Sequence, residues 1–329
     1  MRLRLFIVLW FSTSVFLDAQ NEGTYPSGSS TNGYGYSNYY QKGWQFYGNS
    51  SINTSQSSFS NWQGGGLSSI SIYTSLNLNL FYIGDKAKWE SALGIGYGLL
   101  LQGDNNEWFK SDDRFDFNTK VGIRASDKWY YTSSLRFMSQ FQPGYYDVRD
   151  SLPISNFLSP GYITGALGFD FNPSSKLSII LGPLTSKNTI VLDQNLANMG
   201  AYGVEPGEYD YIEQRYLTQG KNLRTETGGS INISYVNPRV VKNVGINSRL
   251  FLFSNYLRNP ENIDVNFESN IRFQINEFIT TSIFIHVIYD DDIQIALDDL
   301  GLRRGPRLQF KEVLGVGLNI DLGEVKYNY

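Results

Sequence analysis

Few side chains in this sequence are equipped for covalent chemistry. It holds one histidine, His286, and no cysteine, so a nucleophilic site would need His286 as its base and a hydroxyl beside it. Ser282 is the candidate along the chain. Hydrolases of the α/β type set their serine in a G-x-S-x-G turn, whereas Ser282 sits in Ile279-Thr280-Thr281-Ser282-Ile283-Phe284. No catalytic residue is assigned, and His286 reads as a polar residue held on the inward face of a strand. Metal chemistry is limited in the same way, because without cysteine and with one histidine only oxygen ligands remain. Asp290-Asp291-Asp292 and Asp298-Asp299 place carboxylates in the stretch 290–299. Calcium, or a divalent ion bridging to lipopolysaccharide, would suit them, but the EF-hand spacing is missing and a solvated acidic loop is the plainer reading. No metal site and no cofactor are expected.

A second set of charges follows a pattern. Glu90, Asp116, Lys120, Arg124, Arg136, Asp170, Glu226, Arg249, Glu268, Arg272 and Asp321 fall on the polar phase of segments that alternate apolar and polar residues. Phe115, Phe117, Val121 and Ile123 alternate with Asp116, Asn118, Lys120 and Arg124, and Val265, Phe267, Ile271 and Phe273 with Asn266, Glu268, Asn270 and Arg272. Period two marks a strand with one apolar and one polar face. Arg136, Glu226, Arg249, Glu268 and Arg272 are expected at comparable depth on the polar face, where their opposite signs predict lateral pairing into one network. An ion-selective pore would favour a ring of one sign. Mixed signs, with the bulky Tyr73, Phe251, Phe253 and Phe284 on the same face, predict a closed interior instead.

Such a face needs strands to hold it. Alternation recurs from Trp44 to the C-terminus and places strands at 44–56, 67–84, 88–103, 114–125, 129–142, 161–172, 176–192, 224–236, 244–258, 262–276, 278–290 and 308–322. The clearest runs Ile70, Ile72, Thr74, Leu76, Leu78, Leu80, Tyr82 on one face and Ser69, Ser71, Tyr73, Ser75, Asn77, Asn79 on the other. A soluble sandwich also alternates, but its strands average about five or six residues. A tilted strand crossing a bilayer needs about nine to eleven. Connections alternate short (85–87, 126–128, 173–175, 276–277) and long (57–66, 104–113, 143–160, 193–223, 291–307), as tight periplasmic turns and extended external loops do. A longish turn at 237–243 and a short external connection at 257–261 depart from this. Aromatics gather at segment ends, Tyr82, Trp89, Trp129, Phe171 and Phe278 on one side and Tyr162, Tyr256, Tyr289 and Phe310 on the other, as two interfacial girdles would. The fold expected is an all-β, transmembrane, antiparallel up-and-down barrel of about 12 strands, spanning residues 43–329.

The N-terminus supplies the export signal such a barrel needs. Arg2 and Arg4 precede an apolar run from Leu5 to Leu17 that ends in Asp18-Ala19-Gln20. Residues 1–20 are therefore expected to be a cleavable signal peptide, the run being too short for a membrane helix of roughly twenty residues. Residues 21–42, rich in Gly, Ser, Asn and Tyr, read as a flexible periplasmic leader. Aromatics at 15% with charged residues at only 18% suit a β-rich envelope protein. A net charge of −4 speaks against nucleic acid.

Gln56-Ser57-Ser58-Phe59-Ser60-Asn61-Trp62-Gln63-Gly64-Gly65-Gly66-Leu67, with Trp44 upstream and Lys88-Trp89 and Tyr97-Gly98 downstream, resembles a Bacteroidota family of outer-membrane proteins defined by a domain of unknown function, the DUF3078-like family. The resemblance covers residues 44–140 and implies a barrel in the cell outer membrane without an activity. Within the motif, Phe59, Asn61 and Trp62 would anchor the first outer hairpin while Gly64 and Gly65 allow a tight reversal. Asp150-Ser151-Leu152 resembles the acidic–hydroxyl–aliphatic sequon for O-glycosylation of exported Bacteroidota proteins, which makes Ser151 a modification candidate. Outer-membrane lipid, lipopolysaccharide and other envelope proteins are the expected partners, with both mature termini in the periplasm. Two functions follow: a structural or accessory component of an envelope assembly with a closed, ion-paired lumen, or a narrow channel or transporter for small solutes. An enzyme is not expected.

Overall fold

The computed structural model describes residues 42–58, 68–102, 107–145, 152–276, 279–292, 295–296 and 304–323. Twelve strands form one closed antiparallel barrel in which each strand pairs with its neighbours in sequence and the last returns to the first. They are β1 Gly43–Ser57, β2 Ser69–Ile83, β3 Ala87–Gln102, β4 Phe109–Arg124, β5 Trp129–Ser139, β6 Gly161–Ser174, β7 Leu177–Ile190, β8 Leu223–Val241, β9 Val244–Asn255, β10 Ile263–Gln274, β11 Ile279–Tyr289 and β12 Gln309–Gly323. Tyr47↔Gly323 through Asn53↔Gly317 closes the ring, leaving no open edge. The barrel therefore has a turn end, with connections at 84–86, 125–128, 175–176, 242–243 and 275–278, and a loop end that carries the longer ones. Strand β1 starts and β12 finishes at the turn end.

All twelve expected strands are found, most within three residues of the expected ends. The longish turn expected at 237–243 is a correction. Strand β8 runs on to Val241, its register shifting between Asn237 and Val241, and the reversal is left to Lys242-Asn243. Asn243 takes φ 63° there, a left-handed conformation that asparagine tolerates. The bulge accommodates Pro238, which cannot donate to a ladder.

The loop end has structure of its own. A five-residue helix α1, Gln194–Asn198, is capped by Asp193, whose side chain accepts from the backbone N–H of Asn195 and Leu196. Val191, Leu196, Ala197 and Val204 pack into a small core with Ala201 and Tyr202. The Tyr202 hydroxyl donates to the Ile154 carbonyl at 2.6 Å, stitching this loop to the one before it, and burial pushes the Tyr202 phenol up. A hairpin of Glu208–Asp210 with Arg215–Thr218 follows. One helical turn is too short to show a 3.6-residue period, so periodicity in the sequence could not reveal α1.

Burial is inverted relative to a water-soluble domain. The largest fully buried side chains include Arg114, Lys120, Asn79, Asn118, Asp116 and Asp170. Meanwhile Phe46, Ile52, Ile72, Leu80, Val121, Leu135, Leu167, Leu184, Leu314 and Val316 lie exposed. At the turn end Trp44 packs on Tyr82 and Trp89 at ring separations of 5.1 and 5.7 Å, and Trp129 stacks on Phe171 at 4.6 Å. Tyr256 and Phe310 are exposed toward the loop end. Tyr162 is a correction: it is buried at 4% exposure on the inward phase of β6, because Ile163, Leu167 and Phe169 take the outward one. Phe278 lies outside the described residues.

Candidate functional site

The inward face gathers its charges at three depths. Near the turn end, Asp170 is the hub: Lys120 Nζ donates to it at 2.7 Å, Lys88 Nζ at 3.0 Å and Ser178 Oγ at 2.7 Å. Glu90 stands 3.5 Å from Lys120 and 3.6 Å from Lys88. The Lys88 ammonium also lies 4.1 Å from the centre of the Tyr130 ring. Every member is buried, so two ammonium ions share two carboxylates out of water.

At mid-depth Arg136 donates to both oxygens of Asp116, at 3.1 and 2.8 Å, and reaches Glu268 at 3.5 Å. Strands β5 and β10 are five places apart round a ring of twelve, so this guanidinium spans the lumen. Arg249 faces Glu268 in register. His286 is buried, with Nε2 at 3.1 Å from Asn266 Oδ1 and 3.8 Å from Glu268. Ser282 is two inward positions along the same strand, about 13 Å at 3.3 Å per residue, so no Ser–His pair forms.

Toward the loop end Lys187 takes the central place, 2.6 Å from Asp264, 3.1 Å from Asp290 and 3.7 Å from Glu226. Arg224 donates to Glu226 at 2.8 Å and also pairs with Asp292. Asp264, Asp290 and Asp291 bring one oxygen each within 4.8 Å of the others, a possible cation cage, but the Lys187 ammonium already stands between the first two. Asp290, expected in a solvated loop, is 4% exposed because it completes this ammonium's shell. Asp298 and Asp299 lie outside the described residues.

Of the five residues predicted to pair, the structure joins Arg136 directly to Glu268, with Arg249 beside them in register. Glu226 belongs to the separate loop-end group. Arg272 is half-buried toward the turn end, opposite Gly245 and Ser282, and shares no ion pair with the other four among the described residues. Sequence reasoning missed Lys88, Lys187 and Asp264 as inward charges. Lys88 and Asp264 fall next to turns, where phase fades into loop, although Lys88 shares the parity of Glu90. Lys187 is separated by Gly182 and Pro183 from the apolar part of its strand. The hairpin motif Phe59, Asn61, Trp62, Gly64 and Gly65, and the glycosylation candidate Ser151, lie outside the described residues.

A cavity of roughly 70 Å³ in the interior is lined among others by Arg136, Tyr162, Lys187, Arg249, Phe251 and Asp264. That is room for a few waters. Around and below it Asn79, Asp116, Asn118, Lys120 and Phe253 are each at most 2% exposed, so side chains fill the barrel at these levels.

The family described as a protein of unknown function (DUF3078) matches residues 54–145, within strands β1 to β5 and the start of the loop that follows. No curated protein matches the chain in sequence. Among solved structures, the chain is similar to an outer-membrane channel from Pseudomonas putida F1, with a TM-score of 0.38, 11% identity, and 92% of this chain and 100% of that one covered. It is similar to the translocator domain of the autotransporter NalP from Neisseria meningitidis, with a TM-score of 0.33, 9% identity, and coverage of 88% and 89%. A Pseudomonas aeruginosa FadL homologue is similar at a TM-score of 0.28 and 10% identity, with 85% and 75% covered.

Proposed function

We propose that this chain is an integral outer-membrane β-barrel of a Bacteroidota cell, working as a structural or accessory component of an envelope assembly with a closed, ion-paired lumen. One observation carries the reading: the burial is inside out, with Arg136 holding Asp116 and reaching Glu268 across the lumen while the barrel's outside is a belt of aliphatic side chains framed by aromatics. In water that belt would be an exposed apolar surface of a size monomeric soluble proteins rarely carry. In a bilayer it is solvated by acyl chains, and closure of the ring satisfies every strand's ladder.

In this proposal residues 1–20 are removed on export, residues 21–42 stay in the periplasm, and the turn end with both barrel termini faces the periplasm. The loop end then meets lipopolysaccharide and external partners. A tag inserted at Gly203, in the longest loop, should be labelled on intact cells. One inserted at Asp127, in a tight turn, should be labelled only after the outer membrane is opened, and the reverse pattern would contradict the orientation. The accessory role predicts that the barrel leaves native membranes under mild detergent in fixed ratio with other envelope proteins. Its recovery alone under those conditions would contradict that role.

A further inference from the structure

Arg114 is a mid-lumen charge without a counterpart among the described residues. It is 1% exposed, none of its three guanidinium nitrogens has a hydrogen-bond partner, and no carboxylate lies within ion-pair distance among the described residues. Its neighbours on the inward phase of β4 are both taken: Arg136 grips Asp116 with two hydrogen bonds, and Lys311 stands 3.8 Å from Asp112. A guanidinium cannot shed its proton to escape burial, and a buried ion without a partner is strongly disfavoured.

The surroundings say what kind of partner is missing. Arg114 is the register partner of Gly96, and the Tyr73 hydroxyl lies over that glycine, 2.5 Å from where a Cβ would stand. Tyr73 makes the same approach possible only because Gly96 has no side chain. Tyr73 thus brings a phenolic O–H to the level of Arg114 on the inward face, and beside a guanidinium only 1% exposed a small ion suits the packing better than a polyatomic acid. We propose that Arg114 and Tyr73 bind a single small monovalent anion of the halide class in the lumen, and that this ion supplies the counter-charge that Arg114 lacks.

The test uses the mature protein in detergent with bromide as the probe. Crystals grown in sodium bromide should show a bromine anomalous peak in contact with the Arg114 guanidinium and the Tyr73 hydroxyl. Thermal unfolding should shift upward by a few degrees when gluconate is replaced by bromide or chloride at equal ionic strength, since a ligand bound only to the folded state stabilises it. Arg114→Leu should lose both the peak and the halide dependence, and Tyr73→Phe should weaken the dependence. Water in place of bromide at Arg114, or a halide shift preserved in Arg114→Leu, overturns the proposal. If the leucine variant does not fold, the presence or absence of the wild-type peak decides alone. Neither result depends on whether the barrel conducts or has envelope partners.

Discussion

Asp170→Asn is expected to cost about 3–5 kcal/mol of stability, the usual scale for removing one partner of a buried ion pair. The carboxylate accepts from Lys88, Lys120 and Ser178 at once. An amide of the same shape leaves two ammonium ions buried with Glu90 alone, at 3.5 and 3.6 Å. Urea unfolding from micelles reads the loss directly. The cause can be separated from a packing defect, because Lys120→Met in the Asp170→Asn background removes one stranded charge and should recover part of the stability. A double variant as unstable as the single one would show that charge is not the reason.

The outer face supports the second large effect. Leu78 in the middle of β2 and Phe267 in the middle of β10 sit on the outward phase, between inward Asn77 and Asn79 and between Asn266 and Glu268. Arginine at either is expected to cost roughly 2–4 kcal/mol, as charges on the lipid face near the bilayer midplane do, and about 0–1 kcal/mol near the interface. Ile123, 57% exposed at the turn end of β4, supplies the interfacial comparison. Unfolding measured in lipid vesicles should rank Leu78→Arg and Phe267→Arg well below Ile123→Arg. Three equal and small effects would mean that the belt faces water.

The barrel was legible because its signal is repeated and long. Segments such as 69–83 and 87–102 alternate through their whole length, and one face buried against one bathed in hydrocarbon leaves little freedom of register. The reading slipped where local chemistry imitates a boundary. Asn237-Pro238 looks like a turn, yet a bulge absorbs it and β8 continues to Val241.

The candidate site was legible by face and not by partner. Parity alone placed Arg136, Glu226, Arg249, Glu268 and Arg272 inward. Which of them meet depends on strand tilt and on how far a side chain reaches across the ring, and neither is written in a local pattern. Arg136 therefore finds Glu268 five strands away, while Arg272, four residues further along β10 than Glu268, ends at a different depth. Lys187 was harder still. Its role as the centre of the loop-end group follows from Asp264 and Asp290, which lie 77 and 103 residues away in sequence.

The central claim is that these groups close the barrel. Purified mature protein reconstituted in a planar bilayer measures it most directly. The wild type is expected to stay silent at low voltage, and Arg136→Ser combined with Arg249→Ser to open a leak, since two bulky cations leave and Asp116 and Glu268 remain in a wetter lumen. Steady conductance by the wild type at low voltage would contradict the closed lumen and make a narrow channel for small solutes the better reading.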